Sequence, residues 1–464
     1  MQTIQSPEIS PQQKHLEALI SRYTNRTKTS KQFASTYRPV LSDNRVATGF
    51  HLLVKEMLYP IVARRAMGSK IWDVDGNEYI DLMMGFGVNL FGHNPPFIKE
   101  ALQEQLEKGI QIGPQSEFVG EVAELISEMT GMERVAFSNT GTEAVMTAIR
   151  LARTATGRNK IALFSGSYHG HFDGTLVKAQ IVDGNQHTVA IAPGIPPSFI
   201  ADVVVLDYDN PQSLDIIKDR AQELAAVLVV PVQTARPDLQ PQTFLQQLRE
   251  LTKASGITLI FDEMVTGFRI HPGGAQAWFG VQADIATYGK IVGGGMPIGI
   301  IAGKAAYMDA IDGGMWSYGD SSYPQAKTTF FAGTYCKHPL AIAAAKAVLK
   351  HLKTHGSSLQ QQLNQRTTQF VEALNTYFEA EEIPVKMANF GSLFGPASSG
   401  SNSTDSENLD LLRYHLLDRG IHLLGAGGYL STAHTDEDIE RIIQAVKDSI
   451  SEMREGGLLP ARSY

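Results

Sequence analysis

Lys290 stands between a short apolar run, Ile285-Ala286-Thr287-Tyr288-Gly289, and the glycine-rich stretch Gly293-Gly294-Gly295. A lysine at such a junction is drawn partly out of water, which favours its neutral amine, and glycines leave open space around it. A neutral amine with room beside it can attack a carbonyl and form a Schiff base. Upstream, Thr258-Leu259-Ile260-Phe261 is a second apolar run, and it ends in the paired carboxylates Asp262-Glu263. A carboxylate at the end of a buried strand can keep a heterocyclic nitrogen protonated. Taken singly, these residues have plainer readings. A strand-end lysine is usually solvated, and Asp262-Glu263 could simply mark a strand leaving a sheet.

A third feature joins them. Val135-Ala136-Phe137 runs through Ser138-Asn139-Thr140-Gly141-Thr142-Glu143 into the helical pattern Ala144–Thr154. The start of a helix offers free N–H groups and the positive end of its dipole, and the Thr140 and Thr142 hydroxyls add donors around Gly141, so phosphate suits the junction. An ordinary N-cap by Thr140 or Thr142 explains the same residues, and both readings can hold together. The lysine of a Walker A loop is missing. Tyr168-His169-Gly170-His171 follows the apolar run Ile161–Phe164. His169 and His171 could be metal ligands, but no further Cys, His or Asp at ligand spacing supports a metal site. Tyr168 is better placed to stack on a flat ring at the carboxyl end of a strand, with His169 beside it. An aldehyde-binding lysine, a carboxylate for a ring nitrogen and a phosphate cup together point to pyridoxal phosphate.

These residues need a frame to hold them. From residue 98 to 335 the sequence alternates helix and strand. Ile98–Lys108 and Phe118–Met129 read as helices, and Val135–Phe137, Ile161–Phe164, Val203–Leu206, Ala226–Val230 and Leu259–Phe261 read as buried strands. Thr243–Ala254 is a further helical stretch. Continuous apolar strands between helices predict an α/β fold whose mainly parallel sheet is covered on both faces. Beyond it, residues 336–464 form a smaller α+β lobe: helices Leu340–Thr354 and Leu359–Ala380, a β-type segment Lys386–Phe394, a Gly/Ser-rich loop at 398–403 and a closing helix Asp436–Glu452. Residues 46–97 belong to that small lobe. They include a predicted hairpin, Ile71–Asp81, around Asp75-Gly76, whose glycine is misplaced for a calcium loop. Residues 1–45 read as a polar arm or linker, with one helical pattern at Gln13–Tyr23 and a Thr/Lys/Ser-rich stretch at Thr24–Lys31.

Composition excludes several classes. A net charge of −8 without a basic run makes nucleic acid a poor partner. Apolar runs are strand-sized, so a membrane span is not expected. The single Cys336 rules out an intramolecular disulfide framework and fits a reducing, cytoplasmic setting, and Met1–Gln12 lacks a signal pattern.

The run Phe261-Asp262-Glu263-Met264-Val265-Thr266-Gly267-Phe268-Arg269 with Gly289-Lys290, Asn139 to Ala144, Tyr168 to His171 and Ala332-Gly333-Thr334 resembles the class III pyridoxal-phosphate-dependent aminotransferases, from about Met57 to Glu452. The resemblance implies fold type I. It also implies Lys290 as the cofactor's lysine and proton shuttle, Asp262 on the pyridine nitrogen, Tyr168 and Met264 against the ring, and Thr140, Gly141, Thr142 and His169 around the cofactor. Gly333 and Thr334 would reach the phosphate of a second subunit, which makes a homodimer with shared sites the expected assembly. Within the family the chain is similar to glutamate-1-semialdehyde aminomutase and to the aminomutase-like domains of mixed polyketide/nonribosomal peptide synthetases. The aminomutase opening that supplies an arginine for a substrate carboxylate is absent, and Asn44-Arg45-Val46-Ala47-Thr48-Gly49-Phe50 stands there. The arm Tyr23–Arg45, Lys55–Pro60 and Arg236–Pro241 resemble the synthetase group.

That group implies amino transfer from glutamate or glutamine to a β-ketoacyl thioester on an acyl carrier protein, with Arg236 a candidate contact for the donor's carboxylate. The alternatives are the aminomutase, a small-molecule ω-aminotransferase, and an idle scaffold on the same fold. Relatives often place Glu where this chain has Val230, Val or Ile where it has Met264, and arginine where it has Ala235.

Overall fold

The computed structural model describes residues 10–44, 50–182, 184–398, 410–423, 425 and 427–460. Residues 1–9, residues 45–49 of the stretch that stands in place of the aminomutase opening, and residues 399–403 of the Gly/Ser-rich loop lie outside the described residues.

Seven strands make the central sheet. In chain order they are β1 (Arg134–Ser138), β2 (Lys160–Phe164), β3 (Val203–Leu206), β4 (Leu224–Val229), β5 (Thr258–Asp262), β6 (Ile285–Tyr288) and β7 (Gly299–Gly303). Their spatial order is β1-β7-β6-β5-β4-β2-β3. The pairs β3/β2, β2/β4, β4/β5 and β5/β6 are parallel, and β7 alone runs antiparallel to both its neighbours. Every residue of β4, β5, β6 and β7 is buried, as a sheet covered on both faces requires. The antiparallel β7 was not legible beforehand, because Gly299-Ile300-Ile301-Ala302-Gly303 carries no mark of direction. A surface hairpin, Val177–Val182 with Asn185–Ala190, was also missed.

The β5/β6 register sets the site. Asp262 lies opposite Thr287, and Lys290 follows three residues on. Parallel neighbours end on the same side, so both residues reach the carboxyl edge of the sheet, where ligands bind in open α/β folds. The helix Gly141–Thr156 starts at the same edge, directly after β1.

The smaller lobe joins both ends of the chain. Lys70–Asp73 and Glu78–Asp81 form the expected hairpin, and Ile421–His422 adds to it in parallel. Asp81 fastens this junction: buried among His93 and His422, it accepts a 2.8 Å contact from each. Met387–Phe390 and Leu393–Pro396 form a second hairpin beneath the helix Ser358–Ala380.

The first described segment departs from expectation. The helical pattern at Gln13–Tyr23 extends to Pro11–Arg26, and a second helix, Lys28–Tyr37, occupies much of the presumed linker. Leu19 and Tyr23 are almost fully buried, Arg22 pairs with Asp418, and Arg26 donates to the Asp418 carbonyl. The arm is therefore docked on the small lobe. Its polar composition misled because few of its side chains carry that packing.

Candidate active site

A cavity of about 590 Å³ opens at the carboxyl edge of the sheet, within the ~300–1,000 Å³ typical of small-molecule sites. It gathers Thr140, Gly141, Thr142, Tyr168, His169, Asp262, Met264 and Lys290 from separate stretches of the sequence.

Lys290 begins a short 3₁₀ turn, Lys290–Gly293, immediately after β6 and Gly289. Its φ of 44° is in the left-handed region that side-chain-bearing residues rarely adopt, a strain of about 1–3 kcal/mol that such positions carry at functional sites. Burial pushes its ammonium below the usual lysine value. Asp262 pulls the other way, and the charge of Arg269 adds to the lowering. The shift is toward the neutral amine, the form that nucleophilic and proton-transfer chemistry uses. Gly289 admits this turn because a Cβ there would come within 2.9 Å of both the Ile298 carbonyl oxygen and Met264 Sδ.

Asp262 is 3 % exposed. Its Oδ2 lies 2.8 Å from His169 Nδ1, while Oδ1 accepts from the Met264 amide at 3.2 Å and the Thr287 hydroxyl at 3.4 Å. An ionised carboxylate only accepts, so His169 Nδ1 carries the proton of their bond. His169 is therefore the positioning partner of Asp262, and His171 is exposed, its amide bonded to Thr142 Oγ1. Glu263, the other half of the carboxylate pair, does different work. It accepts from Thr266 Oγ1 and the amides of Ala275 and Gln276, and so caps the helix Gly274–Phe279. Burial raises its carboxyl to about 6 against those bonds.

Thr140 is the N-cap of Gly141–Thr156, accepting from the Glu143 amide at 3.2 Å. Glu143 in turn accepts from the Asn139 amide at 2.7 Å. Met264 Sδ approaches so closely that a Cβ on Gly141 would lie 2.9 Å from it. Tyr168 is 71 % exposed and stands on the cavity wall.

Other expected residues lie elsewhere. Arg236 is not among the cavity-lining residues; its Nε donates to Ser398 Oγ at 3.0 Å, and Ser398 also contacts Asp238. Gly333 and Thr334 are exposed outside the lining of this chain's own cavity, with Gly333 close to Asn139. Sequence reasoning missed Gln233. It is 1 % exposed, lines the cavity and donates through Nε2 to the Ser165 carbonyl and Ser167 Oγ. Val230 also lines the cavity. Arg269, part of the recognised run, is 1 % exposed, and its guanidinium is held by the carbonyls of Val265 and Gly87 and by Ser392 Oγ. Lys290 is then the only lysine or arginine among the described residues lining the cavity.

These residues fit pyridoxal phosphate. The helix start and hydroxyls suit its phosphate, and Asp262 suits its ring nitrogen. A lysine whose charged form is disfavoured by burial suits its aldehyde, and His169 Nε2, buried without a partner, marks a polar wall prepared for more than apolar contact.

Comparison with known proteins agrees with this geometry. Residues 53–450 match the family described as Aminotransferase class-III. A glutamate-1-semialdehyde 2,1-aminomutase of Chloroflexus aggregans is 36 % identical over 85 % of this chain and 91 % of its own length. A solved transaminase with PLP bound superposes with a TM-score of 0.81 at 28 % identity, covering 93 % of this chain and 99 % of that one. A β-phenylalanine aminotransferase of Variovorax paradoxus gives 0.81 at 28 %, covering 97 % and 100 %.

Proposed function

Because the chain belongs to the class III aminotransferases, enzymes of fold type I that work with pyridoxal phosphate, we propose that it passes an amino group from glutamate or glutamine to a β-ketoacyl thioester on a carrier protein. The observation that carries this reading is the cavity wall, which among the described residues offers Lys290 as its only lysine or arginine. A free substrate carboxylate would find no guanidinium there, whereas a thioester needs none. The likeness to a β-phenylalanine aminotransferase supports chemistry at a carbon β to the carboxyl position. The synthetase-like segments Tyr23–Arg45 and Arg236–Pro241 support a role in polyketide/nonribosomal peptide assembly.

Pyridoxal phosphate supplies a carbonyl for the amine and an electron sink when bound. The chain's own groups do the rest. The helix start at Gly141 holds phosphate, and Asp262, fixed by His169, keeps a proton on the ring nitrogen. Tyr168 and Met264 confine the ring, and Lys290 Nζ takes and returns the proton at the carbon bearing the nitrogen.

A second reading is glutamate-1-semialdehyde aminomutase, with the same residues in the same roles. The 36 % identity to an aminomutase favours it; the comparisons speak for this reading, the cavity for the first. Measuring kcat/KM for both substrates side by side separates them. A missing charge-assisted hydrogen bond, about 1.5–3 kcal/mol, handicaps the free semialdehyde by about ten- to a hundredfold. The carrier-bound chain is expected to be the faster substrate, and faster turnover of the semialdehyde makes the enzyme an aminomutase. An idle scaffold is the least supported reading, given Lys290 and Asp262 in one cavity.

The proposed assembly is a homodimer in which Thr334 reaches the partner's phosphate. Phe330 at 77 % and Tyr335 at 59 % exposure flank that loop, apolar surface suited to an interface. Given that Thr334→Ala alone weakens cofactor binding, Lys290→Ala and Thr334→Ala protomers are mixed under subunit exchange. Shared sites predict that heterodimers regain one intact site and exceed both parents in activity. Activity no higher than the parents' rejects the sharing.

A further inference from the structure

Outside the active site, His15, His415 and Glu452 converge where three helices meet: Pro11–Arg26, Leu412–Asp418 and Asp436–Glu455. His15 Nε2 lies 3.2 Å from His415 Nε2, their rings 5.1 Å apart and tilted by 27°. His415 is fully buried, and its Nδ1 has no hydrogen-bond partner, with the carboxylate oxygen Glu452 Oε2 at 3.5 Å. One ligand atom from each of the three residues can be chosen so that all lie within 4.8 Å of one another.

We propose that His15 and His415, with Glu452, bind a divalent transition-metal ion of the imidazole-preferring class, zinc foremost, which locks the first helix onto the small lobe. Two imidazole nitrogens 3.2 Å apart, each at a Zn–N distance of about 2.0–2.1 Å, subtend about 100–106° at the ion, close to a tetrahedral angle. With Nε2 on the metal, His415 directs Nδ1–H at Glu452, the carboxylate–histidine arrangement that orients metal-bound imidazoles.

Two guanidinium groups and one carboxylate stand at the rim of the site. Glu452 is held by Arg22 and Arg419. Each guanidinium has other acceptors: Asp418 for Arg22, and the carbonyls of His415 and Asp448 for Arg419. Burial disfavours the charged form of both imidazoles. The competing account is a plain N–H···N bond between two neutral rings, which needs no ion.

Zinc titration of chelator-stripped, cofactor-loaded protein by calorimetry, with metal content read by mass spectrometry, decides between them. One zinc per chain is expected, with a rise in Tm. His15→Ala, at a half-exposed position, should weaken binding at least tenfold and abolish the Tm rise. Glu452→Gln should weaken it with the histidine pair retained, and the exposed His187→Ala should change nothing. Absence of stoichiometric zinc in the wild type, or equal zinc binding by His15→Ala, overturns the site and leaves only the hydrogen bond.

Discussion

Lys290→Ala abolishes transamination while leaving the fold in place. Loss of a positioned acid–base group alone costs about 10²–10⁴-fold, and the same substitution removes the amine that captures the cofactor's aldehyde. No other lysine lines the cavity among the described residues to replace it. Stability should hardly change. Alanine inherits the same left-handed backbone at φ 44°, so no strain is relieved, and the buried amine it removes was itself disfavoured there. Borohydride treatment followed by mass spectrometry of the intact chain gives the check. The wild type retains the cofactor covalently and the variant does not. Wild-type turnover in the variant would show that Lys290 is not the cofactor's lysine.

Asp262→Asn loses about 10²–10³-fold in kcat, the scale of removing one preorganised electrostatic partner. The side chain is small and buried, with His169 on one oxygen and Met264 N and Thr287 on the other, which leaves an acceptor site on Oδ2. Asparagine keeps the volume, so the fold should survive. Its amide presents no negative charge to a ring N–H, however, and one face of it donates where the carboxylate accepted. Circular dichroism and cofactor content should stay near wild type while kcat falls. A loss below tenfold would move the ring-nitrogen partner to another residue. His169→Ala is expected to fall between, because it frees Asp262 to rotate without removing its charge.

Much of this site was legible from local sequence. Lys290, Asp262 and the Thr140–Thr142 junction each stand where an apolar run meets a turn, a pattern set by short-range burial, and their combination and the family resemblance single them out. Glu263 was harder. Successive strand residues face opposite sides of a sheet, so only one of two adjacent carboxylates could face the cavity. The resemblance assigns Asp262 to the cofactor, and the bonds from Ala275 and Gln276 give Glu263 its separate, structural role. Gln233 was invisible for a related reason. Nothing in Pro231-Val232-Gln233-Thr234 marks it, and its role depends on Ser165 and Ser167, almost seventy residues away by chain.

By itself, then, the amino-acid order determined the class of fold and set Lys290 and Asp262 at the ends of apolar runs. Those depend on periodicity and on the burial of neighbours a few residues away. Only the tertiary structure decided that Arg269 faces backbone carbonyls instead of a ligand, and that Arg236 is tied to Ser398 outside the cavity wall. It alone docked the polar arm on the small lobe and set His15 against His415, 400 positions apart. An arginine's charge is written in the sequence, but what that charge meets depends on which distant elements pack beside it. That is settled by the burial of whole faces, which no local pattern records.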